Sequence, residues 1–205
     1  MKNTEKIKEY FGNKAANYET NICKNMFWST FKNTEKKVVV KFLAAKENDY
    51  ILDIGSGPGI YAQELKTTNP KLLCIDSSFS MIKAVKQKGI LGVVGNAENI
   101  PLNNVFDKIL CLGVLEFVNR PESVIYQIKT HLKTDGCIVL IIPKKSIPGL
   151  IYKSIHKLHK LKVKLFTLSE METILSNYGM QITAKKVLLD FACIIKAEPI
   201  PIQKS

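Results

Sequence analysis

The sequence predicts an α/β protein built on a doubly wound, mostly parallel sheet with helices on both faces. Three observations carry that expectation. After Asp49, short apolar runs alternate with amphipathic segments at strand–helix spacing, the pattern of a parallel sheet. One run, Ile51-Leu52-Asp53-Ile54, leads straight into Gly55-Ser56-Gly57-Pro58-Gly59 and then into a segment able to open a helix. A strand, a tight glycine turn and a helix N-terminus are how open parallel sheets hold nucleotide-like ligands. Near the C-terminus, two apolar runs are separated only by Asp190, which predicts a hairpin and an antiparallel strand at one edge of the sheet.

Residues 4–48 read as mostly helical, because Val38, Val39, Phe42 and Leu43 recur at helical spacing behind a lysine-rich face. Strands are expected at 50–54, 71–76, 91–95, 107–112 and 136–142, with helices at 59–66, 79–87 and 121–132. A segment at 144–168 interrupts the alternation. Lys144 to Lys164 holds seven lysines and no acid. Lys153, Lys157, Lys160 and Lys164 share one helical face; Ile151, Ile155, Leu158 and Leu165 share another, which Lys162 breaks. Three readings of this basic amphipathic stretch stay open: a lid helix with its apolar side on the core, an anion site for the substrate, and peripheral membrane contact through 150–165. Ser169-Glu170-Met171-Glu172 has capping-box spacing and starts a helix to about Tyr178, with Gly179 as its C-cap. Runs 181–189 and 191–197 form the closing hairpin. The whole reads as one domain, 1–205: a helical lid (1–48), a core (49–143), the basic insertion (144–168) and a C-terminal helix and hairpin (169–205).

At 205 residues the chain can bury a substantial core, and 46% hydrophobic against 23% charged residues is a globular balance. Its apolar runs are too short to span a bilayer. The start, Met1-Lys2-Asn3-Thr4-Glu5-Lys6, lacks a signal-peptide apolar core, so a cytoplasmic location is expected. The five cysteines (Cys23, Cys74, Cys111, Cys137, Cys193) are odd in number and no pair is spaced C-x-x-C. Four lie in apolar runs, as small hydrophobes do. With only three histidines (His131, His156, His159), no metal centre is expected. The net charge of +12 favours an anionic partner. Arg120 is the sole arginine, which weighs against sequence-specific DNA readout, where arginine's planar fork is the usual tool; charge alone does not exclude nucleic acid.

The loop chemistry narrows the ligand. Asp53 stands two residues before Gly55, where its charge would repel a pyrophosphate, and the glycine a dinucleotide loop wants at position 60 is Ile60. A carboxylate there suits a ligand with an amino group and a positive centre. Asp76 ends the next apolar run, 19 residues after Gly57, placed to accept both ribose hydroxyl protons; capping of the following helix is the competing role. Asn96, in the polar turn Gly95-Asn96-Ala97-Glu98, carries a donor and an acceptor for an adenine edge.

With these residues in register, the chain resembles class I S-adenosylmethionine-dependent methyltransferases of the small-molecule type that includes ubiquinone and menaquinone biosynthetic enzymes. The matching stretches are ILDIGSGPG, the strand ending in Asp76, GNAENIPL, FDKILCLGVLEFV and HLKTDGCIVLIIP, spanning 50–143. Asn17-Tyr18-Glu19 resembles the family's N-terminal segment. The resemblance implies a Rossmann-like seven-stranded sheet, S-adenosyl-L-methionine as cofactor and a small-molecule methyl acceptor as partner. It implies that Asp53, Gly55, Ser56, Gly57 and Gly59 hold the methionine moiety and that Asp76 takes the ribose. Met81 with Ser77 would pack on adenine, Asn96 and Ala97 would meet its edge, Leu112 and Gly113 would line the cofactor, and Tyr18 would close over it.

Many relatives read Leu-Glu-His where this chain reads Leu115-Glu116-Phe117, so a histidine base is unavailable at position 117. A neutral amine, an ionised phenol or a stabilised carbanion attacks without a strong base, and an aliphatic hydroxyl does not. That tilts the expected acceptor towards nitrogen or an acidic oxygen or carbon. Glu116, His156 and His159 are weak candidates for a base, a structural or solvated role being the alternative for each. Tyr10, Phe11, Tyr18 and Trp28 could form an aromatic substrate wall, with Phe117 and Tyr152 as further substrate candidates. Two other functions compete: an RNA or protein methyltransferase, motivated by the charge, and a cofactor-binding subunit without turnover. Against the first, the segment after the fourth strand lacks an Asp/Asn-Pro-Pro-aromatic clamp for a flipped base.

Overall fold

The computed structural model describes residues 3–13, 26–66 and 71–201. Tyr18 with its neighbours Asn17 and Glu19, and Cys23, lie outside the described residues. Helices α1 (Asn3–Gly12) and α2 (Met26–Leu43) precede β1 (Ile51–Ile54), α3 (Ile60–Lys66), β2 (Leu72–Asp76), α4 (Phe79–Gln87) and β3 (Leu91–Val94). Then come β4 (Phe106–Leu112), α5 (Pro121–His131), β5 (Leu132–Pro143), α6 (Ile147–Leu158), α7 (Leu168–Asn177), β6 (Met180–Leu188) and β7 (Ala192–Pro199).

Among the described residues the strands form one seven-stranded sheet in the order β3-β2-β1-β4-β5-β7-β6. β1 pairs in parallel with both β2 and β4, and β4 in parallel with β5. β7 runs antiparallel between β5 and β6. The direction in which consecutive strands are added reverses between β1 and β4. Chains leave the sheet on opposite sides there, which opens a crevice at the carboxyl ends of the strands.

The central strands are buried on both faces, so alternate residues feed two cores. Ile138, Leu140 and Ile142 of β5 join the core under α5 and α7, where Val124, Ile128, Met171 and Leu175 pack. Val139 and Ile141 join the opposite core with Phe31, Val39 and Leu43 of α2 and Leu65 of α3. Period-2 alternation against helical stripes holds the layers together. β6 is the outer antiparallel strand, and it exposes Lys185 and Lys186, charges that discourage edge-to-edge association. Cys74, Cys111, Cys137 and Cys193 are buried free thiols. No helix among the described residues is long and apolar enough to cross a membrane.

Three local expectations are corrected. α7 is capped two residues earlier than Ser169: the Thr167 hydroxyl accepts from Glu170 N at 3.1 Å and Glu170 Oε2 accepts from Thr167 N at 2.7 Å, a complete capping box. The hairpin turn holds Leu189 as well as Asp190, both left-handed (φ 48° and 50°), with Phe191 N donating to Leu188 O at 2.9 Å. The basic helix stops at Leu158, and Lys160 is left-handed (φ 59°). Lys160 thus lies in the turn that ends the helix, Lys162 and Lys164 follow outside any helix, and none of the three shares a helical face with Lys153 and Lys157.

Phe106 starts β4, is fully buried, and packs its ring 4.5 Å from Tyr50. Phe106→Ala is expected to cost ~3–5 kcal/mol in denaturant unfolding; a loss below about 1 kcal/mol, the scale of a surface change, would contradict its place in the core.

Candidate active site

The loop after β1 is shaped by what surrounds it. Gly55 (φ 65°) lies against Val114, whose Cγ2 would be 2.3 Å from any added Cβ. Gly57 (φ 54°) has open space on its Cβ side, so its backbone is bare towards the crevice. The loop is held by Asp76 at the end of β2: Gly57 N donates to Asp76 Oδ2 at 2.9 Å and Ser78 N to Oδ1 at 2.8 Å. Ser78, not Asp76, is the N-cap of α4; Asp76 instead ties the loop after β1 to the start of that helix. Gly95 N donates to Asp76 O at 3.0 Å and brings the turn after β3 alongside. In that turn Asn96 Oδ1 accepts from Glu98 N at 3.0 Å.

These pieces line one cavity of about 500 Å³, within the ordinary range for small-molecule sites (~300–1,000 Å³). Asp53, Gly55, Ser56, Gly57, Asp76, Ser77, Met81, Asn96, Ala97, Leu112 and Gly113 all line it. Gly59 does not; it sits against α4, where Val85 Cγ2 would be 3.2 Å from an added Cβ. Its role is packing. Tyr10, Phe11, Trp28, Phe117 and Tyr152 line the same cavity, which joins the expected cofactor and acceptor residues in one space.

The aromatic end is roofed by α1 and α6. Phe11 meets Phe117 edge-on at 5.2 Å, Tyr10 lies 5.0 Å from the His159 ring, and His156 stacks on Phe117 at 5.5 Å and packs 4.3 Å from Tyr152. The Ser80 hydroxyl donates to Gly12 O at 3.2 Å and fastens α1 to α4. α6 is a roof, but not with its apolar side down. Tyr152 and His156 face the cavity, while Ile147, Leu150, Ile151, Ile155 and Leu158 are 50–83% exposed. Of the three readings of this stretch, the one that packs its apolar side on the core fails for Ile151, Ile155 and Leu158.

Sequence reasoning missed a cluster on the wall of this cavity. Glu35 of α2 is only 2% exposed; Lys32 Nζ donates to its Oε1 at 2.6 Å, and the Tyr61 hydroxyl donates to the same oxygen. The signal was readable: Glu35 falls midway between Phe31 and Val39, both buried on one face of α2. Glu116 also lines the cavity.

Electrostatics separate the acids. Burial, reinforced by the nearby Asp76, pushes the Asp53 carboxyl up to about 8. Asp53 Oδ2 has no hydrogen-bond partner among the described residues. Asp76 is also raised by burial, against the pull of the amides of Ser78 and Gly57 and of Lys8. A buried carboxylate oxygen left unpartnered in the middle of a sheet is suited to a cationic ligand. The residues present fit S-adenosylmethionine: Asp53 for the α-ammonium group, the bare Gly57 backbone for the methionine chain, and the free lone pairs of Asp76 for ribose hydroxyls.

The architecture is the Rossmann-like α/β fold of methyltransferases. Comparison with known proteins agrees: residues 52–140 match the family model described as a methyltransferase domain. The mitochondrial ubiquinone biosynthesis O-methyltransferase of Schizosaccharomyces pombe is 29% identical over 99 residues, covering 44% of this chain and 36% of that protein. The ubiquinone biosynthesis O-methyltransferase of Rickettsia canadensis is 25% identical over 158 residues, covering 68% of this chain and 65% of that one. The chain therefore spans less than two thirds of the length of either relative. Magnesium protoporphyrin IX methyltransferase from Synechocystis, solved with bound S-adenosylhomocysteine, superposes with a TM-score of 0.76 at 17% identity, covering 93% of this chain and 97% of that one. At that identity the superposition speaks for the fold.

Asp53 makes a prediction about the ligand-free protein. Its folded pKa of about 8 lies above the ordinary 3.8, so the folded state keeps a proton that the unfolded chain has lost between those values. Stability then falls as pH rises from about 4 to about 8 and levels off above. Asp53→Asn is expected to flatten part of that slope. Its melting temperature, read by calorimetry, should exceed wild type at pH 8 by a few degrees and match it near pH 4.

Proposed function

We propose that this chain transfers a methyl group from S-adenosylmethionine to a small-molecule acceptor whose attacking atom is nitrogen or an acidic oxygen or carbon. The observation that carries this is the single cavity, with Asp53, Gly57 and Asp76 at one end and an aromatic chamber under α1 and α6 at the other. The donor, when bound, supplies a methyl group activated by a positively charged sulfur. The chain's own part is alignment and exclusion of water. The glycine loop and Asp76 hold one reactant, and Phe11, Trp28, Phe117 and Tyr152 hold the other against it. Two relatives carry O-methyltransferase in their names, which supports an oxygen acceptor among these classes. A roofed chamber favours a small molecule over RNA or protein.

Titration calorimetry tests the reading. Wild type is expected to bind S-adenosylmethionine and S-adenosylhomocysteine; no binding by the folded protein overturns it. Asp76→Ala removes charge-assisted hydrogen bonds worth ~1.5–3 kcal/mol each, so affinity should drop about 100-fold.

The aliphatic row of α6 supports a further part of the reading, contact with an anionic bilayer. The row is exposed, and Lys153 and Lys157 lie on the same helix in a stretch without acids, the composition of an interfacial helix. The protein is expected to float with phosphatidylglycerol vesicles at low salt, and Ile151→Glu with Ile155→Glu should abolish flotation. Equal recovery of wild type and variant with the vesicles would remove the contact.

A further inference from the structure

We propose that Glu116 is the catalytic base of this site: its carboxylate binds the methyl acceptor through the N–H or O–H of the attacking atom and takes that proton. The inference rests on the methyltransferase reading above and says which acceptors the site takes, namely amines and phenols whose attacking atom carries a proton that must leave.

The acids of the cavity can be sorted by what holds them. Asp53 and Asp76 belong to the donor end. Glu98 sits at the rim and accepts from Arg120 N at 2.9 Å. Glu35 is engaged by Lys32 and Tyr61. Glu116 remains. It is 5% exposed, it lines the cavity, and its Oε2 has no hydrogen-bond partner among the described residues. A carboxylate in that state is costly to keep unless a ligand completes it.

Its position is fixed by backbone. The turn after β4 closes with Phe117 N on Val114 O at 2.9 Å, and Lys164 N donates to Glu116 O at 2.9 Å. Gly113, three residues upstream, lines the same cavity; a Cβ there would stand 3.5 Å from Glu116 Oε1. Phe117, immediately downstream, lines the aromatic chamber. Glu116 thus sits where donor and acceptor meet. Burial pushes its carboxyl up to about 8, against the pull of its own backbone N–H and of Lys32, with Glu35 adding to the rise. A base poised near the working pH is suited to proton transfer.

The step balances. A lone pair on the acceptor nitrogen or oxygen forms the bond to the methyl carbon. The carbon–sulfur bond breaks, and its electron pair passes to the sulfur, cancelling the positive charge there. The proton on the attacking atom moves to Glu116, which becomes a neutral acid and later returns the proton to water. The charged and titratable groups around Glu116 are Lys32 and Glu35 from α2, Asp53 from β1, Cys111 from β4 and His156 from α6, and, about the outer pocket that Glu116 also lines, Lys6, Lys145, Lys153, Lys160, Lys162 and Lys164. Burial and the charge of Glu116 itself hold the Cys111 thiol above its ordinary range.

The test titrates the S-adenosylhomocysteine-loaded protein with 2-phenylethylamine and, separately, with catechol, for wild type, Glu116→Gln and Glu116→Asp. Wild type is expected to bind at least one probe; which one separates an amine from a phenol acceptor. Glu116→Gln should weaken that binding about tenfold or more, with S-adenosylhomocysteine affinity unchanged, and Glu116→Asp should restore part of it. With the bound probe as acceptor, kcat/KM of wild type should rise with pH as one group ionises, whereas Glu116→Gln should lose that limb and fall ~100-fold or more. Failure of both probes to bind the loaded protein, or binding and pH limb untouched in Glu116→Gln, overturns the proposal. Failure of wild type to bind S-adenosylhomocysteine would instead count against the methyltransferase reading itself.

Discussion

The Asp76 carboxylate is the tie on which the site hangs. It ends β2, and its two oxygens accept the amides of Gly57 and Ser78, so one side chain joins the loop after β1 to the start of α4. Its own carbonyl accepts from Gly95 N and draws in the turn after β3. Three loops at the carboxyl ends of adjacent strands are thereby set relative to one another. The parallel order β3-β2-β1 makes those ends neighbours, and the reversal between β1 and β4 leaves a crevice beside them. Each carboxylate oxygen still has acceptor capacity, so the tie and ligand binding do not compete.

Charge is distributed in opposition. The chain carries +12 overall, yet its cavity gathers Glu35, Asp53, Asp76, Glu98 and Glu116 against Lys8 and Lys32. Two of these acids, Asp53 and Glu116, keep an oxygen without a partner. Burial without compensation lowers stability, and sites that must bind charged or protonated groups tolerate that loss because the ligand offsets it. Lys153, Lys157, Lys160, Lys162 and Lys164 lie outside, on α6 and the chain after it, where water screens them within about 8–10 Å. The exterior and the cavity can therefore answer to different partners.

Much of this was legible in the chain itself. Strand–helix alternation, the acid before the glycines, the acid ending the second strand and the polar turn after the third are all short-range patterns, and each marks a position within a few residues of a strand end. The capping box of α7 was read two residues late, since Ser169-x-x-Glu172 and Thr167-x-x-Glu170 overlap and only packing chooses between them. For the aliphatic side of α6, amphipathicity left core packing, an anion site and membrane contact open, and the structure turns that side outward. A helical stripe shows that two faces differ; it does not show which one meets the protein. Glu35 stood visibly on an apolar face, but its partners Lys32 and Tyr61 come from the same helix and from α3, and a cavity wall is formed only when those helices are packed.

The sequence by itself determined the strands and most helices, the glycine loop, and the acids at the ends of the first two strands, because local propensity and spacing suffice for these. Tertiary structure alone decided the strand order, the joining of the cofactor end to an aromatic chamber, the packing duty of Gly59, the orientation of α6 and the isolation of Glu116. Each of those depends on which distant surfaces meet, as where Ser80 reaches Gly12 across 68 positions, and on whether a buried polar atom finds a partner there. Neither is encoded in the periodicity of any one segment.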